Sequence, residues 1–317
     1  MNLDQRLAEP SASLLVLAPH PDDESLAVGG LIQRALERRA RARIVWITDG
    51  DNNPWPQRVL ERRVRVGATQ RAAWGERRRG EAQNALRELG AENVTTQRLA
   101  WPDGSVTWKL VDETAAAIAA LHALIEQARP TLLVLPDLVD GHPDHSALHV
   151  LVELVLNGMP VERRPQCLCY LLHGRAPNDA PRRIALKLTP QEQARKRAAI
   201  CAHTSQIALS RGRMLRFAGA IEYFALGIGN HALSGPRLSW RPPRWLSPSM
   251  VLLAVDAHGG QRLIPCRDPR QASLFWRDGS PAAHAARALQ PPYYVKLYAK
   301  LPSPWVFDHW GWRKFIA

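Results

Sequence analysis

Three short stretches of the chain are apolar without alternation: Ser13 to Ala18 (SLLVLA), Arg43 to Thr48 (RIVWIT) and Thr131 to Pro136 (TLLVLP). A strand with one face in water alternates apolar and polar residues, whereas a strand covered on both faces does not, so these read as buried parallel strands. Between them the period changes. Ser25 to Ala40, Arg58 to Leu89 and Asp112 to Arg129 are rich in Ala, Leu, Arg and Glu, with apolar positions recurring at three and four residues, the spacing of one helix face. Gly67, Gly75 and Gly80 are expected to interrupt the second of these helices. Strands and helices alternating in this order predict an α/β fold, a Rossmann-like three-layer sandwich with a mostly parallel sheet. Ligands of such sheets bind beyond the carboxyl ends of the strands. No GxGxxG follows the first strand, and Gly29 and Gly30 fall inside the next helix, so no nicotinamide or flavin site is expected.

From Ser234 the pattern gives way to SGPRLSWRPPRWLSPS, a composition that reads as a linker into a separate piece. The chain thus divides into a domain of residues 1–235 and a C-terminal extension, 236–317, whose fold the pattern leaves open. That extension holds 12 Lys or Arg against 4 Asp or Glu, and six of the eleven tryptophans: Trp240, Trp245, Trp276, Trp305, Trp310 and Trp312. No internal repeat is visible.

Composition narrows the classes. A hydrophobic fraction of 46% over 317 residues excludes a wholly disordered chain and suffices for a full core. With no apolar run of about 18 residues and no signal-peptide pattern at the start, a soluble protein is expected. Cys167, Cys169, Cys201 and Cys266 form no CxxC pair, which fits a reducing cytoplasm. The net charge of +13 favours anionic partners such as phosphorylated sugars or a membrane surface. Nucleic acid is not expected, because no zinc finger or RNP motif accompanies the charge. The run Arg58 to Arg79, with eight arginines, reads either as a solvated helix face or as a rim that attracts phosphorylated sugar.

The chemistry sits directly after two of the strands. LAPHPDDES places His20, Asp22 and Asp23 at the carboxyl end of the first strand, and DLVDGHPDHSALH places His142, Asp144 and His145 at the end of the TLLVLP strand. A single HPDD could be a turn whose Asp caps the helix near Ser25. Two such clusters at two strand ends argue against that, because convergent His and Asp are costly to desolvate without a metal or a reaction to serve. Imidazole with carboxylate suits zinc, and three protein ligands with an open fourth position make a catalytic site. His149, one helical turn after His145, reads as a supporting or helix-surface residue, and His122, His173 and His203 as structural.

At these residues the chain resembles the PIG-L, or LmbE-like, family of zinc-dependent de-N-acetylases, whose marks are a PHPDDE loop and a later HPDH. The resemblance runs from Leu14 to Phe224 and takes in RRGEAQNALRELG at 78–90, WPDG at 101–104 and KRAAICAHTSQ at 196–206. It implies His20, Asp23 and His145 as Zn2+ ligands, Asp22 as general base, His142 as the group that stabilises the oxyanion, and Asp144 as the carboxylate that orients and charges His142. It further implies Arg78 and Asp103 as substrate contacts.

The physics of amide hydrolysis agrees with these roles. An amide carbonyl is a poor electrophile, so the reaction needs an activated water and a place for developing negative charge. The implied reaction removes acetate from an N-acetylated amino sugar such as N-acetylglucosamine. The charge and the Trp-rich tail point to a bacterial surface glycoconjugate, a lipopolysaccharide or glycolipid, with the tail steering a cytoplasmic enzyme to the inner face of the membrane. The alternatives are deacetylation of a small soluble glycoside, iron in place of zinc, and a non-catalytic carbohydrate- or membrane-binding protein with a vestigial metal site.

Overall fold

A computed structural model describes residues 2–174, 183–227, 250–265, 292–299 and 310–315, with strand backbone at 232–233, 237–238 and 274–275. Leu3–Leu7 (α1) leads into Ser13–Ala18 (β1), Asp23–Glu37 (α2), Arg41–Thr48 (β2), Pro54–Glu61 (α3), Ala68–Glu88 (α4) and Thr95–Trp101 (β3). Val106–Asp112 (α5), Thr114–Ala128 (α6), Leu132–Pro136 (β4), Pro143–Gly158 (α7) and Gln166–Tyr170 (β5) follow. Arg183–Lys187 (β6), Pro190–Ala202 (α8), Thr204–Ile207 (α9), Arg211–Leu215 (α10) and Ile221–Leu226 (β7) close the first part of the chain.

The strands join in the order β3-β2-β1-β4-β5-β7-β6. The first five run parallel, while β7 is antiparallel to both β5 and β6. The predicted α/β sandwich is therefore the observed one. β1 explains why its sequence does not alternate. Leu14, Val16 and Ala18 pack on one side with residues of α2, α4 and α8, and Leu15 and Leu17 pack on the other with residues of α5, α6 and α7. Each of these side chains is removed from water, a gain of about 1.5–3 kcal/mol for a fully buried Leu or Val.

Two expectations change. The helical stretch Arg58 to Leu89 is two helices, because Arg62 ends α3 in the left-handed conformation (φ 52°) and Gly67 starts α4. Gly75 and Gly80 do not interrupt α4 at all. At Gly75 a Cβ would come within 3.1 Å of the Asp49 Cβ, so that glycine serves close helix–loop packing. Asp22 precedes α2 without a side-chain capping bond, which counts against the turn-and-cap alternative and leaves its carboxylate for other work.

Beyond residue 231 come Ala232–Leu233 (β8), Arg237–Leu238 (β9), Met250–Val255 (β10), Gln261–Pro265 (β11), Leu274–Phe275 (β12), Tyr293–Ala299 (β13) and Arg313–Phe315 (β14). Five of them form a sheet in the order β11-β10-β13-β14-β8. Leu253, Val255, Tyr294 and Trp312 enter the same apolar cluster as Leu148 and Leu151 of α7. The Gln261 side-chain amide donates to the Val111 carbonyl and Lys314 pairs with Glu153. Trp312 is buried and Trp310 half-buried, whereas Trp240, Trp245, Trp276 and Trp305 lie outside the described residues.

Candidate metal centre and active site

β1 is followed in the sheet by β2 on one side and β4 on the other, so the connections leave β1 and β4 in opposite directions and open a crevice between their carboxyl ends. The loop after β1 is tight: Asp22 N–H donates to the His20 carbonyl at 3.0 Å, and the His20 N–H donates to Asp23 Oδ2 at 2.8 Å. The loop after β4 ends at His142, the N-cap of α7, with Pro143 in the first turn. His145 follows on that first turn and is fully buried.

Three donor atoms converge from these two loops. His20 Nδ1 lies 3.3 Å from His145 Nε2 and 3.4 Å from Asp23 Oδ2, and His145 Nε2 lies 3.3 Å from Asp23 Oδ2. A tetrahedral ion with bonds of ~2.0 Å has ligand-to-ligand edges of ~3.3 Å, so this even triangle fits one shared metal ion with an open fourth position. His142 stands in the same cluster, with a ring nitrogen within 4.8 Å of those of His20 and His145. The Asp23 triangle is the better donor set, since its edges are equal and its carboxylate offsets cationic charge.

The remote nitrogens of both histidines face carboxylates, as metal-bound imidazoles do. His20 Nε2 is 3.1 Å from Asp103 Oδ1 and 3.4 Å from Asp144 Oδ2, and His145 Nδ1 is 3.4 Å from Asp140 Oδ2. Asp140 in turn accepts the backbone N–H of His142 (2.9 Å), Leu172 (2.9 Å) and His173 (3.1 Å). Asp144 accepts the N–H of Gly104 (2.8 Å) and Val106 (3.0 Å), which ties the WPDG loop to the start of α7.

Electrostatics follow from this density of carboxylates. Burial disfavours charge on His145, yet Asp23 and Asp140 overcome it and push its pKa up to about 10. His20 is raised likewise, with burial outweighed chiefly by Asp103. Burial would raise Asp23, but His145 and His20 hold it well below the usual carboxylate range. The cluster demands positive charge at the triangle, and a divalent cation meets that demand by displacing the protons. Asp22 behaves differently: burial raises its pKa, and Arg78 opposes the rise.

The structure brings His20, Asp22, Asp23, His142, Asp144 and His145 into one crevice and changes three details. Asp144 was expected to orient and charge His142, but both its oxygens are engaged by the WPDG loop and His20 as above. Its own backbone N–H donates to His142 Nδ1 at 3.2 Å. The His142 ring proton therefore sits on Nε2. Burial, and then the neighbouring His20, His145 and His173, push the His142 pKa well down, which opposes the charged ring that was expected. Arg78, expected at the substrate, is buried and spends its guanidinium on the protein, donating to the carbonyls of Gly50 (2.8 Å) and Pro21 (3.2 Å) and pairing with Asp22 Oδ2 at 3.0 Å. Asp103, also expected at the substrate, accepts the Asn52 N–H at 2.9 Å with its second oxygen while the first faces His20.

Two residues escaped the sequence reading. Asp140 lies in the same DGHPDH string, and its signal was an acidic residue buried beside a ligand pair. His173, read as structural, has its ring centroid 4.8 Å from that of His145 and 5.5 Å from that of His142, with Nδ1 3.1 Å from Asp140 Oδ1. It comes from beyond β5, and nothing in its local sequence marks it. His149 and His203 are buried away from the triangle, with His149 Nδ1 2.8 Å from the Pro136 carbonyl oxygen and His203 Nε2 3.1 Å from Ser25 Oγ.

A sheet with its crevice at the β1–β4 switch and a His2Asp triangle there defines a metal-site α/β protein, and comparison with known proteins places it further. Residues 15–156 match the family described as PIG-L: GlcNAc-PI de-N-acetylase, so the segment holding both loops carries the PIG-L family pattern. The 1D-myo-inositol 2-acetamido-2-deoxy-alpha-D-glucopyranoside deacetylase of Mycobacteroides abscessus is 33% identical over 150 residues, 44% of this chain and 53% of that protein. The chain thus spans about half the length of the curated relatives it matches. Among solved structures, the N,N'-diacetylchitobiose deacetylase of Pyrococcus horikoshii shares the fold at a TM-score of 0.54, with 18% identity over 72% of this chain and 88% of that one. The A40926 pseudoaglycone deacetylase does so at 0.54, with 20% identity over 70% and 99%.

Proposed function

We propose that the chain is a metal-dependent amide hydrolase that removes the N-acetyl group from an N-acetylated amino sugar. The observation that carries this reading is the even triangle of His20 Nδ1, Asp23 Oδ2 and His145 Nε2, with edges of 3.3–3.4 Å, beside a carboxylate and an imidazole that the triangle does not use. Zn2+ is the proposed ion, and held there it would supply Lewis acidity to the acetyl carbonyl and to the attacking water.

The remaining steps belong to the protein. Asp22 accepts a proton from the attacking water; burial strengthens its hold on that proton, and Arg78 fixes the carboxylate in place. His142 Nε2–H donates to the acetyl oxygen as it gains negative charge. Asp22 then returns its proton to the nitrogen as the C–N bond breaks, so that amide and water become acetic acid and a free amine, the acid's proton passing on to give acetate and the ammonium form. Asp140, Asp103 and Asp144 hold the two ligand imidazoles in orientation.

The substrate proposed is an N-acetylglucosamine unit of an anionic or lipid-linked glycoconjugate, a glycolipid or lipopolysaccharide, supported by the +13 charge. A small soluble glycoside is the second reading, favoured by the name of the M. abscessus relative. The deciding experiment measures acetate release from a panel of N-acetyl glycosides and glycolipids, before and after chelation and with zinc or iron restored. Metal-dependent release is expected, and His145→Ala should lose both metal and turnover while His149→Ala keeps its metal. A fully metal-loaded protein that releases acetate from no member of the panel would overturn the hydrolase reading.

A further inference from the structure

Among the described residues ten large hydrophobic side chains are exposed, and four of them fall within one short segment: Trp55 (65% exposed), Val59 (54%), Leu60 (39%) and Val64 (87%). Trp55 and Val59 are one helical turn apart on α3 and so share a face. The opposite face is anchored: Pro56 and Gln57 are buried, and the Gln57 amide donates to the Gln70 carbonyl at 2.7 Å and to the Glu61 carboxylate. The apolar face is thereby held outward by a polar clamp.

Basic residues are interleaved with it. Arg58, Arg62, Arg63 and Arg65 lie in this segment against Glu61 alone. Arg62, Arg63 and Arg65 are exposed, and the Arg58 guanidinium lies 5.3 Å over the Trp55 ring. The patch follows Asn52 closely in the chain, and the Asn52 N–H donates to Asp103, which faces His20.

We propose that residues 55–65 form a contact for an anionic lipid bilayer. Trp55, Val59, Leu60 and Val64 enter the boundary between headgroups and acyl chains, and the arginines meet lipid phosphates. Charge and apolarity together select this partner. A nucleic acid would match the arginines but leave Val59, Leu60 and Val64 without a use. A second copy docked on the same face would match the apolar residues but bring eight arginines together across a two-fold axis. The proposal deepens the lipid-linked substrate reading, yet binding is read without turnover, so either can fail alone.

The test uses the full chain and co-sedimentation with vesicles of phosphatidylcholine, alone or mixed with phosphatidylglycerol. Binding to the anionic vesicles only, weakened by salt, is expected. The combined change Trp55→Ser, Val59→Ser and Val64→Ser should abolish it, and Arg62→Gln with Arg63→Gln should weaken it by about 25-fold, roughly 5-fold for each positive charge lost. All of these variants should keep the wild-type melting temperature and hydrolysis of a small N-acetyl glycoside. Should the triple variant misfold, Val64→Asp at the most exposed of these sites carries the same comparison. Absence of wild-type binding overturns the proposal, as does binding that the apolar variants retain, which would assign it to the basic extension or to simple polyanion attraction. A salt-sensitive complex with duplex DNA in place of vesicles, or a dimer that the apolar variants break, also overturns it.

Discussion

Asp22 and Asp23 are adjacent carboxylates that their surroundings drive apart. Two imidazoles hold Asp23 ionised, while burial raises the proton affinity of Asp22 with the Arg78 guanidinium the largest charge opposing it. The proposed ligand and the proposed base are thus separated by environment rather than by residue type. Asp22→Asn should keep its metal by elemental analysis and lose about 10² to 10⁴ in turnover, the usual worth of a general base. Asp23→Asn should instead lose metal. Near-normal turnover in metal-loaded Asp22→Asn would mean that another group takes the water's proton. At this scale the motif was legible, since all three ligand candidates and the base stand in two short strings. The partners of those residues were not. That Arg78 grips Asp22 from α4, and that Asp144 engages Gly104 and Val106, depends on chain segments 56 and about 40 positions away.

At the scale of elements, α2 shows how the HPDD loop is kept in place. Glu222 of β7 reaches into the helix, accepting the N–H of Gly30 at 2.7 Å and of Leu31 at 2.9 Å, and pairs with Lys196 of α8 at 2.7 Å. Gly30 has no room for a side chain, because a Cβ there would sit 2.2 Å from Leu188 Cδ2. Gly29 is crowded as well, since a Cβ there would sit 3.2 Å from Lys196 Cγ and 3.3 Å from Leu89 Cδ2. Both members of the Lys196–Glu222 pair are buried, so Lys196→Met leaves a desolvated carboxylate and should cost about 3–5 kcal/mol, read from denaturant unfolding. A loss below about 1 kcal/mol would show that the two backbone donors alone satisfy Glu222. The break between α3 and α4 belongs to the same scale. Arginine-rich composition continues through it, so periodicity ran the helices together, and only the left-handed Arg62 and the extended Gly67 separate them.

At the scale of the whole molecule, the described strands of the extension share a core with the sheet's helices. Trp312 and Tyr294 are buried in the cluster that contains α7, the helix that presents His145. Trp312→Ala should therefore destabilise the whole protein, by about 3–5 kcal/mol as for other buried tryptophans, with the sheet domain and the extension melting in one transition. Two separate transitions, with only the upper one carrying activity, would mean that the extension folds as an independent unit. Among the described residues no helix is long and apolar enough to cross a membrane.

The sequence by itself determined the buried strands, the layered α/β class and the two loops that carry histidine and aspartate, because each is written in contiguous residues whose periodicity or chemistry is local. Only the tertiary structure decided how those loops are supplied. The sheet order puts β1 beside β4 and β5 beside β4, and that adjacency brings His20 to His145 and Asp140 to His173, with His142 beside them. Such neighbours are set by which strands pair rather than by spacing along the chain, and proton affinities follow neighbours: Asp23 and Asp140 raise that of His145, whereas burial and three other histidines lower that of His142.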